Sequence, residues 1–495
     1  MKSGLMKALS ILLVLCMLIP MAACGVNSEG KDEKDSKNDN AAGTNENGEA
    51  ITERTPYVSK AEYDEEFVAL YCSDIFAKGY YFVDPENRDE GNDLDDKLYE
   101  REILVEDYLG VDIIAEDGGG FKDYTTPFSN AVLAGDDSYQ MLMTHVYMGI
   151  SSLITSGCLY DMSNMENLNL DADYWNSQLM NDLMINDKMF LAYNDFCLSQ
   201  TYLVVFNKEM YAPYEPNTGN LYDAVRNDEW TIDKMVSVAS LVQDSPDNPD
   251  RNYGFSCFAW VPLSSFVTAS DMKIADKDPE TGELYVTAAE GNTEKLTDLH
   301  EKIYALCNAE YTYAWGPAGM KKPAEALKLP SNRVLMSLEG TFGLVSYKGE
   351  DIKTGILPYP KYDSAQENYQ HMNWNGMLAV SSVIKNEKMV GDVMEMLAFY
   401  TNDVKTAFYE TLLGSKVANA PEDAEMLELI WSTTVSDLGL VFSDLSANMD
   451  AMVYFIPQLV TAFDQSETAS FLKSNAKPAN KALERFYSKV EKLGA

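Results

Sequence analysis

The side chains of this chain that are best able to do chemistry are suited to holding a ligand, not to breaking one. Aromatic residues make up 11% of the 495 positions, with 30 Tyr and 6 Trp, and they mingle with 78 Asp and Glu. Flat aromatic rings stack on the apolar C–H faces of a sugar, while carboxylates and amides satisfy its hydroxyl rim. Reactive constellations are missing: no Gly-x-Ser-x-Gly elbow, no Walker A loop and no His-Glu-x-x-His pair occurs. Three histidines disfavour multi-histidine metal catalysis. The run Asp247-Asn248-Pro249-Asp250-Arg251-Asn252 lacks the sixth-position Gly and closing Glu of a calcium loop, so it reads as a turn. No metal, no cofactor and no catalytic residue is expected. Paired carboxylates can always be found among so many acids, which leaves a surface glycan-acting hydrolase as an alternative.

The segments that would position these groups alternate between strand and helix. Phe67–Tyr71 is a short apolar run, Asp93–Leu109 has an amphipathic repeat closed by Gly110, and Val111–Ile114 is a second strand. Pro127–Leu133 reads as a helix, Gln140–Met143 as a third strand, and Ile150–Ser156 as a helix stopped by Gly157. This is the α/β signature, and ligands of open α/β sheets bind beyond the carboxyl ends of the strands. Asp74, Tyr80 and Tyr81 follow the first strand; His145 and Tyr147 follow the third. Further on, Lys188–Tyr193, Tyr202–Phe206, Asp351–Leu357 and Met377–Val380 read as extended, Thr231 as the N-cap of a helix over 232–242, and Met389–Tyr400 as a helix. Trp374 and Asn375 immediately precede the Met377 strand, while Trp260 and Trp315 sit in loops. Each of these residues has a plainer reading: Asp74 as a helix cap, His145 as a buried structural group, the aromatics as core packing.

Composition narrows the partners. The formal net charge is −40 at a pI near 4.3, which argues against nucleic acid and against docking on anionic lipid through a basic face. Of seven cysteines, the last five are scattered and read as small buried hydrophobes. The N-terminus carries Lys2 and Lys7, an apolar run over 8–19, Pro20, and then Met21-Ala22-Ala23-Cys24. This is a secretory leader, too short for a comfortable membrane span. Met21-Ala22-Ala23-Cys24-Gly25 resembles the bacterial lipobox. That resemblance implies cleavage before Cys24, with a diacylglyceryl group on its sulfur; the two chains suffice for stable anchoring. Residues 25–54 hold almost nothing to bury and read as a tether.

The order of segments over residues 60–400 resembles the family 1 extracellular solute-binding proteins of ABC transporters. The resemblance is carried by Ala134-Gly135-Asp136-Asp137-Ser138-Tyr139 before a strand, Gly157-Cys158-Leu159-Tyr160-Asp161-Met162, Val205-Phe206-Asn207-Lys208, Tyr253-Gly254-Phe255, and above all Gly355-Ile356-Leu357-Pro358-Tyr359-Pro360. Ser436-Asp437-Leu438-Gly439 weakly resembles large sugar-binding relatives. The resemblance implies an α/β, two-lobed type II binding-protein fold whose lobes are joined by a hinge with chain crossovers. It implies residues 1–23 as leader and 24–56 as lipidated tether. Lobe one is then expected to hold 57–194 with 345–402, and lobe two 195–344 with 403–495. It places Asn194 and Asp195 near the first crossing, and Phe342 where relatives stack an aromatic on sugar. The implied role is capture of a small solute, a sugar or oligosaccharide, in the interlobe cleft. A monomeric binder would deliver it to permease subunits at the outer face of the bacterial cytoplasmic membrane. A non-transport lipoprotein feeding a sensor is a further alternative.

Overall fold

The computed structural model describes residues 43–44, 50–51, 55–72, 82, 93–120, 124–146, 148–165, 167–194, 200–289, 291–316, 329–345, 352–413, 420–462 and 467–493. The leader, Cys24 and most of the tether lie outside them. Within residues 1–55, Gly43–Thr44 pairs antiparallel with Ala50–Ile51.

Residues 56–495 form one unit built on two sheets. Besides a short hairpin of Ala275–Lys277 and Leu284–Val286, its strands are β1 (Glu65–Tyr71), β2 (Val111–Asp117), β3 (Met141–His145), β4 (Tyr202–Asn207), β5 (Tyr253–Phe258), β6 (Thr312–Trp315), β7 (Val334–Gly340), β8 (Thr354–Leu357), β9 (His371–Met372), β10 (Gly376–Val380) and β11 (Thr434–Val435). The first sheet runs β10-β3-β1-β2, with β1 parallel to both β2 and β3, and β10 antiparallel to β3. The second runs β6-β5-β7-β4-β8, parallel from β6 to β7 and antiparallel on both sides of β4. Helices cover both: α1 (Asp93–Leu109), α2 (Ile150–Thr155), α3 (Ile232–Ala239), α4 (Val261–Ala269), α5 (Thr293–Asn308), α6 (Glu387–Phe399), α7 (Thr401–Leu413), α8 (Pro421–Ser432), α9 (Ala447–Val453), α10 (Phe455–Ala462) and α11 (Thr468–Val490).

Most expected elements are present. α1 spans the residues its repeat marks out, but its inward face is Leu94, Leu98, Arg101, Val105 and Leu109, and Ile103 and Leu104 face solvent. Arg101 is buried and donates to Thr401 Oγ1 at 3.4 Å, which ties α1 to α7. Thr231 caps α3 by accepting from Lys234 N at 3.2 Å. The run 188–193 makes only single bridges, Lys188 to Ile185 and Ala192 to Leu378, so no ladder forms there. Strand β8, expected with the first lobe, pairs instead with β4 in the second sheet. Helix α7, expected with the second lobe, packs on α1 beside the first. Residues before Asn194 and after Thr201 thus belong to different sheets, the chain returns to the first between Leu357 and Gly376, and α7 and α8 again lie by different sheets.

Buried carboxylates fasten the helices to their sheets. On α6, Asp392 accepts from Tyr63 Oη at 2.6 Å and Asn167 Nδ2 at 2.7 Å. One turn on, Glu395 accepts from Trp175 Nε1 at 2.9 Å, Asn169 N at 3.0 Å and the Tyr174 hydroxyl. On α8, Asp423 accepts from Ile356 N of β8 and Lys208 Nζ, each at 2.9 Å, and from Tyr222 Oη at 2.5 Å. Fully buried charges persist only when satisfied in this way. Near the C-terminal helices, Asp444 accepts from Ser151 Oγ at 2.7 Å, where α2 begins. The cysteines Cys72, Cys158, Cys257 and Cys307 are buried thiols, and Cys72 Sγ donates to Gly119 O at 3.3 Å.

Gly254 lets β5 lie directly on α3, because a Cβ there would stand 1.8 Å from the Ala239 carbonyl oxygen. That oxygen is backbone and cannot swing aside. Gly254→Ala is therefore expected to lower the unfolding free energy by about 2 kcal/mol or more, read as a reduced urea midpoint; an unchanged midpoint would refute the close approach.

Candidate functional site

Two sheet edges come together near the crossing segments, through Trp374. The first edge carries Tyr71, Asp117 and His145, the last residues of β1, β2 and β3, beside Gly376, the first of β10. The second carries Phe258, Trp315 and Gly340, the last residues of β5, β6 and β7, beside Tyr202, the first of β4. Trp374 joins them: its ring centroid is 5.0 Å from that of His145 and 6.5 Å from that of Tyr202.

The crossings satisfy each other's peptide groups. Trp374 N donates to Gln200 O at 3.0 Å, and Gln200 N donates to Asn375 Oδ1. Thr341 N donates to Thr201 O at 2.9 Å, and Thr201 Oγ1 donates to Met372 O at 2.8 Å. A third segment joins them: β9 pairs parallel with β11, and Asn373 N donates to Val435 O at 3.0 Å. The Ser436–Gly439 motif continues from it. Ser436 Oγ accepts from Asn373 Nδ2 at 3.2 Å, and buried Asp437 accepts from Ile274 N and Gly439 N, each at 2.8 Å. Burial raises the Asp437 carboxyl above its usual range, against the pull of those N–H groups.

The sequence candidates divide into several fates. His145, Trp374 and Asn375 come together at the crossing and are buried there. His145 sits between the carbonyls of Val146 (Nδ1, 2.9 Å) and Trp374 (Nε2, 3.1 Å), and burial pushes its pKa down to about 4. It is therefore neutral at physiological pH, with a single N–H that donates to one of these two carbonyls. Asn194 is buried in a backbone bridge to Trp175. Trp260 and Trp315 are partly exposed on the second edge, where Trp315 meets Phe258 at 4.9 Å. Phe342 lies in the short helix Thr341–Val345 that follows β7; its side chain is outside the described structure. Asp74, Tyr80, Tyr147 and Asp195 lie outside the described residues.

Four residues at the site escape the sequence reading: Phe258, Gln200, Glu339 and Tyr202. Burial, with the Glu339 carboxylate nearby, raises the Tyr202 hydroxyl above the usual phenol range. Phe258 had a signal, as the aromatic that ends the Tyr-Gly-Phe strand. Gln200 had none, because its role depends on a partner far along the chain.

His371 shows how tightly the crossing is specified. Thr433 Oγ1 donates to Leu429 O at 2.6 Å, so it accepts from His371 Nδ1–H at 2.8 Å. The other ring nitrogen then accepts from Tyr359 N at 3.1 Å. Protonation would set two donors face to face, and burial pushes the pKa down to about 3 from the ordinary 6.5.

No family model and no curated protein matches this chain. Solved structures do. A Listeria monocytogenes ABC substrate-binding protein in complex with cycloalternan aligns at TM-score 0.56 and 13% identity, covering 85% of this chain and 99% of its own. A maltodextrin-binding domain from Bdellovibrio bacteriovorus bound to maltotriose aligns at 0.53 and 12%, covering 83% and 99%. A family 1 extracellular solute-binding protein from Bifidobacterium longum subsp. infantis aligns at 0.51 and 13%, covering 86% and 99%. The fold is thus that of the two-lobed type II solute-binding proteins. Among the described residues no helix is long and apolar enough to cross a membrane.

The depressed His371 pKa has a definite sign. The unfolded chain takes up this proton below about pH 6.5 while the folded chain refuses it until near pH 3. The stabilisation is complete above pH 6.5 and is lost as the pH falls toward 3. His371→Gln is expected to flatten the fall in unfolding free energy between pH 5.5 and 4 by about 1.4 kcal/mol per pH unit. Denaturant titrations of both proteins at several pH values measure it, and parallel pH profiles would contradict it.

Proposed function

We propose that this chain is an exported lipoprotein that captures a saccharide between its two lobes and passes it to an ABC importer. The observation that carries the reading is the group of partly exposed aromatics, Trp315, Phe258 and Trp260, at the strand ends of the second sheet, whose edge meets that of the first through Trp374. Aromatic faces at the carboxyl ends of strands suit the apolar faces of pyranose rings. Solved structures of the same fold hold cycloalternan and maltotriose. Lobe one is assigned residues 57–194 with 376–413, and lobe two 202–357 with most of the C-terminal helices.

Binding here is closure. A solute that touches both edges favours the shut arrangement by its differential contacts, and the crossing segments absorb the rotation. Nothing in the reading requires a bond in the solute to break, and the sequence motifs of common hydrolases are missing. The two-chain lipid expected on Cys24 would hold the binder near its permease, raising its effective concentration there.

Calorimetry against a panel of mono- and oligosaccharides should give one-to-one heat for at least one member, with a smaller radius of gyration in solution scattering. Trp315→Ala should weaken that binding about tenfold. Heat with amino acids or peptides alone, or release of a shortened product, would sink the assignment. Separately, Cys24→Ser should move the chain from the membrane fraction to the medium and abolish labelling by a fatty-acid analogue. Retention with label would place the lipid elsewhere.

A further inference from the structure

The C-terminal region contributes a residue on which the aromatic edge depends. Trp260 leaves β5 two residues after Phe258 and opens α4. Its backbone is fixed: its N–H donates to Phe258 O at 2.9 Å, and its carbonyl accepts from Leu263 N at 2.9 Å. The side-chain torsions remain to be set. They are set by Tyr454, whose ring lies 5.2 Å from the indole with the two planes only 11° apart. Tyr454 stands at the junction of α9 and α10 and is 1% exposed, whereas Trp260 is partly exposed. A parallel stack covers one face of each ring. The exposure of Trp260 therefore lies on the part of the indole that this stack leaves uncovered, the part open to a flat apolar ligand.

We propose that Tyr454 is a positioning residue that holds Trp260 flat for stacking on the solute, so that the C-terminal region helps decide what the cleft accepts. This rests on the saccharide-binding reading. The physical gain is preorganisation: an indole already clamped on one face loses little rotamer freedom when a ligand covers the other. Trp315 has its own support in Phe258, tilted by 46°, so the two indoles are held by different parts of the chain. Loss of Tyr454 should disturb one of them and spare the other.

The test is a double-mutant cycle, read by calorimetry with the best-bound saccharide of the panel. Tyr454→Leu should weaken binding about three- to tenfold, and Tyr454→Phe, which keeps the ring, should bind as the parent does. In a Trp260→Ala background, Tyr454→Leu should add nothing. In a Trp315→Ala background it should cost its full factor. General destabilisation would weaken binding in every background alike. Equal losses in all backgrounds, or none in the parent, would overturn the proposal. If Tyr454→Leu does not fold, Tyr454→Met serves the same cycle, since a flexible thioether fills the space without a flat face. A parent chain that binds no saccharide would defeat the functional reading and this inference together; a parent that binds while the Tyr454 changes are silent defeats this inference alone.

Discussion

Everything in this molecule turns on how three chain segments satisfy their peptide groups where they pass between the sheets. A backbone N–H or carbonyl removed from water must find a partner. Here these partners lie on neighbouring segments: Trp374 meets Gln200, Asn375 caps the Gln200 N–H with its side chain, and Asn373 meets Val435 of β11. Because the bonds are shared, no segment can shift alone. The sheets on either side are each fixed by their own ladders and buried carboxylates. The segments between the sheets are held by bonds to one another, beside the second edge with its aromatic rings.

The two lobes are stiffened by a recurring device. A helix presents a fully buried carboxylate, and the sheet or its loops return N–H and O–H donors to it, as at Asp392, Glu395 and Asp423. Such a group is costly when unpaired, so it selects one arrangement of helix on sheet over its near neighbours. Close contacts at Gly254 and Gly355 do the same through shape: a Cβ on Gly355 would stand 2.2 Å from the Phe206 ring.

Much of the first sheet was legible because its signals are local. The apolar run at Phe67–Tyr71, the helix closed by Gly110 and the strand leading to His145 all announce themselves within a few residues. Thr231 as a cap is equally local. What the sequence concealed was partnership at a distance. Nothing near Thr354 says that it pairs with Asn207 and not with the first sheet. Nothing near Lys188 says that a run of strand-forming residues will find no ladder. At the site, the residue types were readable and the company they keep was not. His145, a candidate from its place after a strand, is buried against the carbonyls of Val146 and Trp374, while Tyr454 carried no signal because the ring it stacks on lies far away along the chain.

The seating of β10 has one more consequence. The first sheet is assembled from residues 65–145 and then 376–380, so its edge strand reaches the molecule only after the whole second sheet has been made. Asp444 reaches the start of α2 later still. A ribosome issuing this polypeptide from its amino end thus holds an unfinished first half for most of the time of synthesis. The late arrival of these pieces postpones completion of the first sheet until most of the message has been read.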